Sequence, residues 1–280
     1  MLTKMKIGIV GCGNIGADLC IAIQKGDLPV EVAALSDIDD ERAKVLLRTF
    51  QLDARVCDLD ENASVVDYLV ECAVVDAVKG VLEATIRHQV NCLIMSVGGL
   101  LENEKLYEEA KAAGVQVHIP SGALCGLDGI RAAMETGLHT VTLTTRKPPA
   151  GLVGAPYLEA NDISLDGLEQ PLVVFEGNAM EAVKAFPRNV NVAASLSLMG
   201  IGAEATKVRI IADPGATMNI HEVVAEGAFG QLKTTTENLP SPRNAKSSYL
   251  ASLSAVAELR AAAETFCSNA SAATGLAQSG

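Results

Sequence analysis

At 280 residues the chain is long enough for two domains. Its formal net charge of −12 argues against nucleic-acid and membrane-surface partners, which select basic patches. Apolar residues make up 49% of the chain with no Trp, so the core must be aliphatic.

Residues 6–10 form an apolar, β-rich run that reads as a buried parallel strand. It leads directly into Gly11, Gly13 and Gly16, in G-x-G-x-x-G spacing. Gly11 allows the tight turn, Gly13 lets backbone approach a pyrophosphate, and Gly16 lets the next helix pack close to the strand. That helix opens at Asn14 and Ile15 and continues to residue 25, with Ile15, Leu19, Ala22 and Ile23 at helical spacing. Its free N-terminal N–H groups suit phosphates. A second apolar strand, 30–35, ends in Ser36-Asp37. Asp37 stands where a carboxylate accepts hydrogen bonds from an adenosine ribose, and it disfavours a 2′-phosphate. NAD is therefore the expected cofactor, with NADP second because Arg42 lies a few residues on. The bland reading makes Asp37 a helix N-cap.

The alternation continues: helix 41–50 capped by Asp39 or Asp40, strand 68–73, helix 76–87, strand 91–97, helix 103–113 closed by Gly114, strand 115–119. This βαβα order predicts an α/β fold with a doubly wound parallel sheet, ligand lying at the carboxyl ends of the strands. Residues 120–126, rich in small side chains, close that set of strand ends.

The pattern changes after Gly126. Residues 128–135 read as helix and 140–145 as strand, stopped by Arg146-Lys147-Pro148-Pro149. Residues 151–170 read as loop, 172–176 as strand, 179–186 and 191–199 as helices. Strands 206–213 and 219–226, joined by Pro214-Gly215, read as adjacent antiparallel partners. A strand at 231–237 and an Ala/Leu helix at 247–266 with a capping serine complete the chain. The expected organisation is a dinucleotide-binding domain at 1–126, an α+β substrate and dimerisation domain at 127–245, and a C-terminal segment, 246–280, returning to the first domain.

Seven scattered cysteines without a C-x-x-C pair read as reduced, buried thiols of a cytoplasmic protein, with no metal expected. The first strand begins almost at the N-terminus, so no leader is expected, and no apolar run approaches the ~20 residues of a membrane span.

Among four histidines, His88 reads as solvated and His118 as a sheet histidine, while His139 follows a helix end. His221 lies in Asn219-Ile220-His221-Glu222, flanked by polar residues, and imidazole is the usual proton shuttle. Arg146-Lys147 and Arg243-Asn244-Ala245-Lys246 are the two basic clusters able to hold an anion, although surface charge is the plainer reading of each.

These residues resemble the L-aspartate dehydrogenase family of archaea and bacteria, related in fold to homoserine dehydrogenases. The likeness rests on residues 8–16, 96–100, the segment IPSGALCGLDG at 119–129, 145–149, NVNVAASLSL at 189–198, Asp213-Pro214, NIHE at 219–222 and 237–248. It implies a Rossmann-type first domain, a homodimer, and oxidation of L-aspartate to iminoaspartate with NAD or NADP, reversible to oxaloacetate plus ammonia. It also implies His221 as active-site residue and Ala123 and Asn191 at the cofactor; with that substrate, Lys147 and Lys246 of the two basic clusters and the Ser247 hydroxyl are the expected holders of its two carboxylates. The family's N-P-K-T-S stands here as Asn244-Ala245-Lys246-Ser247-Ser248, and its E-A-A-S as Glu71-Cys72-Ala73-Val74. Two other readings fit the scaffold: a reductase of a semialdehyde or cyclic imine, and a non-catalytic NAD-binding protein.

Overall fold

A computed structural model describes residues 4–26, 28–187 and 191–277, with the backbone alone at 245, 246 and 273–277. The chain divides into two compact units, Met1–Pro120 with Ser252–Gly280, and Ser121–Ala251.

The first unit alternates strand and helix. Its strands are β1 (Met5–Val10), β2 (Val30–Ser36), β3 (Arg55–Val56), β4 (Tyr68–Glu71), β5 (Asn91–Ile94) and β6 (Val117–His118). Between them lie α1 (Asn14–Gln24), α2 (Asp40–Thr49), α3 (Leu59–Ser64), α4 (Val78–His88), α5 (Gly98–Glu102) and α6 (Glu104–Ala112). All pairings are parallel, in the order β3-β2-β1-β4-β5-β6. This is the doubly wound Rossmann order, with its reversal between β1 and β4. Met5, Ile7, Ile9, Leu19, Tyr68 and Leu93 pack into one aliphatic core. A late segment completes it: Ala255, Leu259 and Ala263, all fully buried, come from α11 (Tyr249–Ala277).

Two helices of this unit carry acidic caps. Asp39 accepts from the Glu41 N–H and Asp58 from the Glu61 N–H, each opposing the positive helix end. Three of the four histidines lie away from any cluster of polar side chains buried on one face: one is packed, one paired at the surface, one exposed. The His118 Nδ1 lies 2.5 Å from the Tyr68 hydroxyl, and the rings are stacked. His88 meets Asp60, and His139 is exposed on a strand.

The second unit is a mixed five-stranded sheet with helices on one face. Its strands are β7 (Leu138–Lys147), β8 (Leu172–Asn178), β9 (Lys207–Ala212), β10 (Asn219–Gly227) and β11 (Gly230–Asn238), ordered β11-β10-β7-β9-β8. The helices are α7 (Leu127–Met134), α8 (Pro156–Ala160), α9 (Ala179–Ala185) and α10 (Asn191–Met199). Val141, Leu143, Val223 and Ala225 form the apolar part of the covered face, packed with Ile130, Ala182, Phe186 and Leu196. Phe186 is fully buried against Tyr157 and Phe175, so truncating it to Ala costs about 3–5 kcal/mol. A small hairpin, β12 (Pro240–Ser241) with β13 (Asn244–Ser248), precedes α11.

The structure corrects the sequence reading in four places. β9 and β10 are not neighbours: β7 lies between them, parallel to β9 and antiparallel to β10. Crossing one strand requires about 10 Å, and residues 213–218 span that easily at about 3.4 Å per residue. β7 runs through Arg146 and Lys147 rather than stopping before them, because Pro148 can end a strand only after both have paired. Residues 151–170 contain α8 and bury Leu152, Leu158 and Leu165, so they are part of the core. The last helix starts at Tyr249, since Ser247 and Ser248 belong to β13.

Among the described residues no helix is long and apolar enough to cross a membrane.

Candidate active site

In the first unit the three glycines do different work. Gly11 has φ +94°, its N–H donates to the Ser36 carbonyl at 2.8 Å, and a Cβ there would lie 2.6 Å from the Ala73 backbone. A Cβ on Gly16 would lie 2.8 Å from the Gly11 carbonyl oxygen. Both are closed off by the protein itself. Gly13 is exposed, and a Cβ there would meet nothing within 4 Å. That open space is what a dinucleotide's phosphates would fill. Gly13 also caps α1, which has no side-chain cap and no acidic residue in its first turn, Asn14 to Gly16. The capped α2 and α3 differ in both respects, so α1 alone of the three presents bare N–H groups to an anion.

Asp37 follows β2 and is half-buried. Its carboxylate accepts from the Cys12 N–H at 2.7 Å and the Asp39 N–H at 3.0 Å. The cap of α2 is Asp39, which leaves Asp37 outside that role. A carboxylate offers about four acceptor sites, so capacity remains for ribose hydroxyls. The residues present therefore fit a nicotinamide dinucleotide.

Glu71, quoted from sequence only as part of Glu71-Cys72-Ala73-Val74 and given no role there, holds two of the strand ends together. It is fully buried at the end of β4 and accepts from the Ala73 N–H, the Ser96 N–H and the Ser96 hydroxyl at 2.7–2.8 Å. Burial raises its carboxyl above the usual range, and the Ser96 and Ala73 hydrogen bonds oppose that rise. Cys72 donates its thiol to the Gly11 carbonyl. Burial pushes the thiols of Cys12 and Cys20 up to about 12, so they stay protonated and serve packing.

In the second unit, strand parity builds the site. On β7 the buried positions are Val141, Leu143, Thr145 and Lys147; on β10 they are Asn219, His221, Val223 and Ala225. The covered face is thus apolar at one end and polar at the other. His221 pairs across the ladder with Thr145, whose Oγ1 lies 3.0 Å from Nδ1. Its other ladder neighbour is Thr236. Lys147 is 3% exposed. Burial lowers its ammonium to about 8; burial and the Lys147 charge lower His221 to about 3, keeping the imidazole neutral. Among the described residues no carboxylate pairs with Lys147. Arg146, on the opposite face, is tied to Asp213 at 2.7 Å. The cluster Arg146-Lys147 therefore splits by parity into one committed cation and one buried cation.

Ala123 is buried, and its carbonyl accepts from the Thr236 hydroxyl and the Asn238 amide. β11 thereby fastens residues 121–126 in place. Asn191 opens α10. The hydroxyl of Ser247 donates to the Asn244 carbonyl, whereas the buried Ser248 accepts from the Asn219 amide. Lys246 lies on β13, but its side chain is outside the described residues, as are Asn189 and Val190 of the NVNVAA segment. Thr145, Thr236, Asn238 and Ser248 were not singled out individually from sequence. Extending the Val141–Leu143 parity through Pro148 would have found Thr145 and Lys147 together.

Two family models match the chain. Residues 11–120 match the homoserine dehydrogenase NAD-binding domain, and residues 128–262 match the aspartate dehydrogenase C-terminal domain. The first unit accordingly binds a nicotinamide cofactor. The L-aspartate dehydrogenase of Methanosarcina mazei is 46% identical over 260 residues, covering 91% of this chain and 96% of the relative. That of Bradyrhizobium diazoefficiens is 36% identical, covering 95% and 94%. The crystal structure of aspartate dehydrogenase from Thermotoga maritima superposes with a TM-score of 0.71 at 30% identity, covering 91% of this chain and 95% of that one. With both units matched by models and identity sustained along nearly the whole length, this chain belongs to the L-aspartate dehydrogenase family.

Proposed function

We propose that the protein oxidises L-aspartate to iminoaspartate with a nicotinamide dinucleotide, and in reverse reductively aminates oxaloacetate. The observation that carries this reading is the buried Lys147 cation beside a neutral His221, with no internal carboxylate to answer it among the described residues. A buried, unpaired cation is costly, and an anionic substrate supplies the missing charge.

Lys147 holds a substrate carboxylate, and Lys246 and Ser247 are proposed to hold the other. His221 accepts a proton from the substrate amino group, or activates the water that attacks the imine, for which a neutral imidazole is the competent form. A bound nicotinamide dinucleotide would supply the hydride-accepting chemistry. Gly11, Gly13, Asn14, Ile15 and Gly16 would hold its pyrophosphate, Asp37 its adenosine ribose, and Ala123 and Asn191 its nicotinamide end. Asp37 favours NAD over NADP through charge repulsion of a 2′-phosphate. The family likeness supports a homodimer, which sedimentation measures directly.

The test is aspartate-dependent reduction of NAD and of NADP, followed by absorbance, alongside semialdehydes and cyclic imines with the reduced cofactors. Turnover on aspartate is expected, faster with NAD. Turnover confined to another carbonyl or imine would replace the substrate; dinucleotide binding with no turnover would make the protein a sensor.

A further inference from the structure

Two threonines flank His221 across the sheet, Thr145 on β7 and Thr236 on β11. They are not equivalent. The Thr236 hydroxyl is spent on the Ala123 carbonyl at 2.8 Å. The Thr145 hydroxyl is directed at the imidazole, and both side chains are almost wholly buried. Among the described residues nothing hydrogen-bonds Nε2. A threonine in a strand has a stiff χ1, so its hydroxyl is a fixed point. A hydroxyl can also donate to a bare Nδ1 or accept from Nδ1–H, so it orients the ring without dictating its tautomer. A carboxylate in that place would accept only, and would favour the charged ring.

We infer that Thr145 is a positioning residue that acts through His221: its hydroxyl holds Nδ1, fixes the ring plane and reserves Nε2 for the substrate. This rests on the reading of His221 as the acid–base group. Thr236, by contrast, belongs to the support of Ala123.

The experiment is a double-mutant cycle with T145V and H221A, read as kcat, aspartate KM and dinucleotide Kd. T145V is expected to lower kcat on the order of tenfold, with KM and Kd nearly unchanged, because a misaligned base weakens only the chemical step. T145S should recover most of the loss. In the H221A background T145V should cost nothing further. An undiminished kcat for T145V, or an equal loss in both backgrounds, overturns the inference. If H221A itself keeps full kcat, the acid–base reading fails first and Thr145 with it; a crippled H221A beside an unaffected T145V sinks Thr145 alone. T145A removes the hydroxyl without setting a methyl against the ring, and gives the same test if the valine variant does not fold.

Discussion

The two units treat buried polarity in opposite ways. In the first, Asp37 and Glu71 are carboxylates held by backbone N–H groups and a serine hydroxyl of the same unit. Their charges are answered internally, and the surface left to a ligand is bare backbone: Gly13 and the uncapped start of α1. In the second, Lys147 and His221 are buried with no opposing charge among the described residues. One unit offers open backbone and peptide dipoles, the other a buried cation without an opposing charge among the described residues. A backbone site suits a cofactor shared by many enzymes, and a side-chain site suits one substrate.

The sharpest way to break that comparison is His221→Ala. It should lower kcat by about 10²–10⁴-fold while leaving dinucleotide affinity as it was. A parallel loss of dinucleotide affinity would show that the division of labour is wrong.

Lys147→Met comes next. Losing a charged hydrogen bond should raise the aspartate KM about 10–100-fold. The ligand-free variant should unfold at the same or a higher temperature, because the desolvated cation is gone. Lys147 is protonated below about pH 8 and loses its proton above it. Succinate, which has two carboxylates and no amine, should therefore inhibit progressively less well above pH 8. That rise in its inhibition constant should vanish in Lys147→Met. A pH-independent constant would remove Lys147 from the substrate site. His221, with its pKa near 3, adds no titration above pH 5.

The glycines give a smaller, paired effect. Gly13→Ala should weaken dinucleotide binding about tenfold and leave the melting temperature unchanged, since its Cβ meets nothing in the protein. Gly11→Ala should lower the melting temperature, because φ +94° and a 2.6 Å backbone approach oppose any side chain. Asp37→Ala should have the least effect, a few-fold drift toward NADP, and the ratio of the two kcat/KM values reads it directly.

Most of the first unit was legible because its rules are local, although β3, α3 and the short α5 went unread. A strand, a glycine turn and an uncapped helix sit within twenty residues, and each parallel strand pairs with the one before it except at the β3-to-β4 crossover. The second unit was legible as elements but not as a sheet. Placing β7 between β9 and β10 is a long-range pairing, and nothing in Pro214-Gly215 distinguishes a hairpin from a crossing loop. The candidate site suffered from the same blindness. Arg146 and Lys147 read as one basic patch until the strand was seen to continue, and then a single step of parity sent them to opposite faces. Thr145 read as a plain strand residue, because its partner lies 76 positions away. Asp37 was placed correctly after β2, yet its bonds to Cys12 and Asp39 depend on the turn's geometry rather than on spacing.

The first unit is discontinuous, and that has a consequence for synthesis. Its core includes Ala255, Leu259 and Ala263, made after the whole of the second unit. On the ribosome, Ile7, Leu19 and Leu93 wait with one flank uncovered while residues 121–251 emerge and can already collapse around Phe186. The nucleotide-binding half, first to be translated, is the last to be completed. A ribosome stalled before residue 255 would hold a chain whose second unit has all its parts and whose first unit lacks Ala255, Leu259 and Ala263.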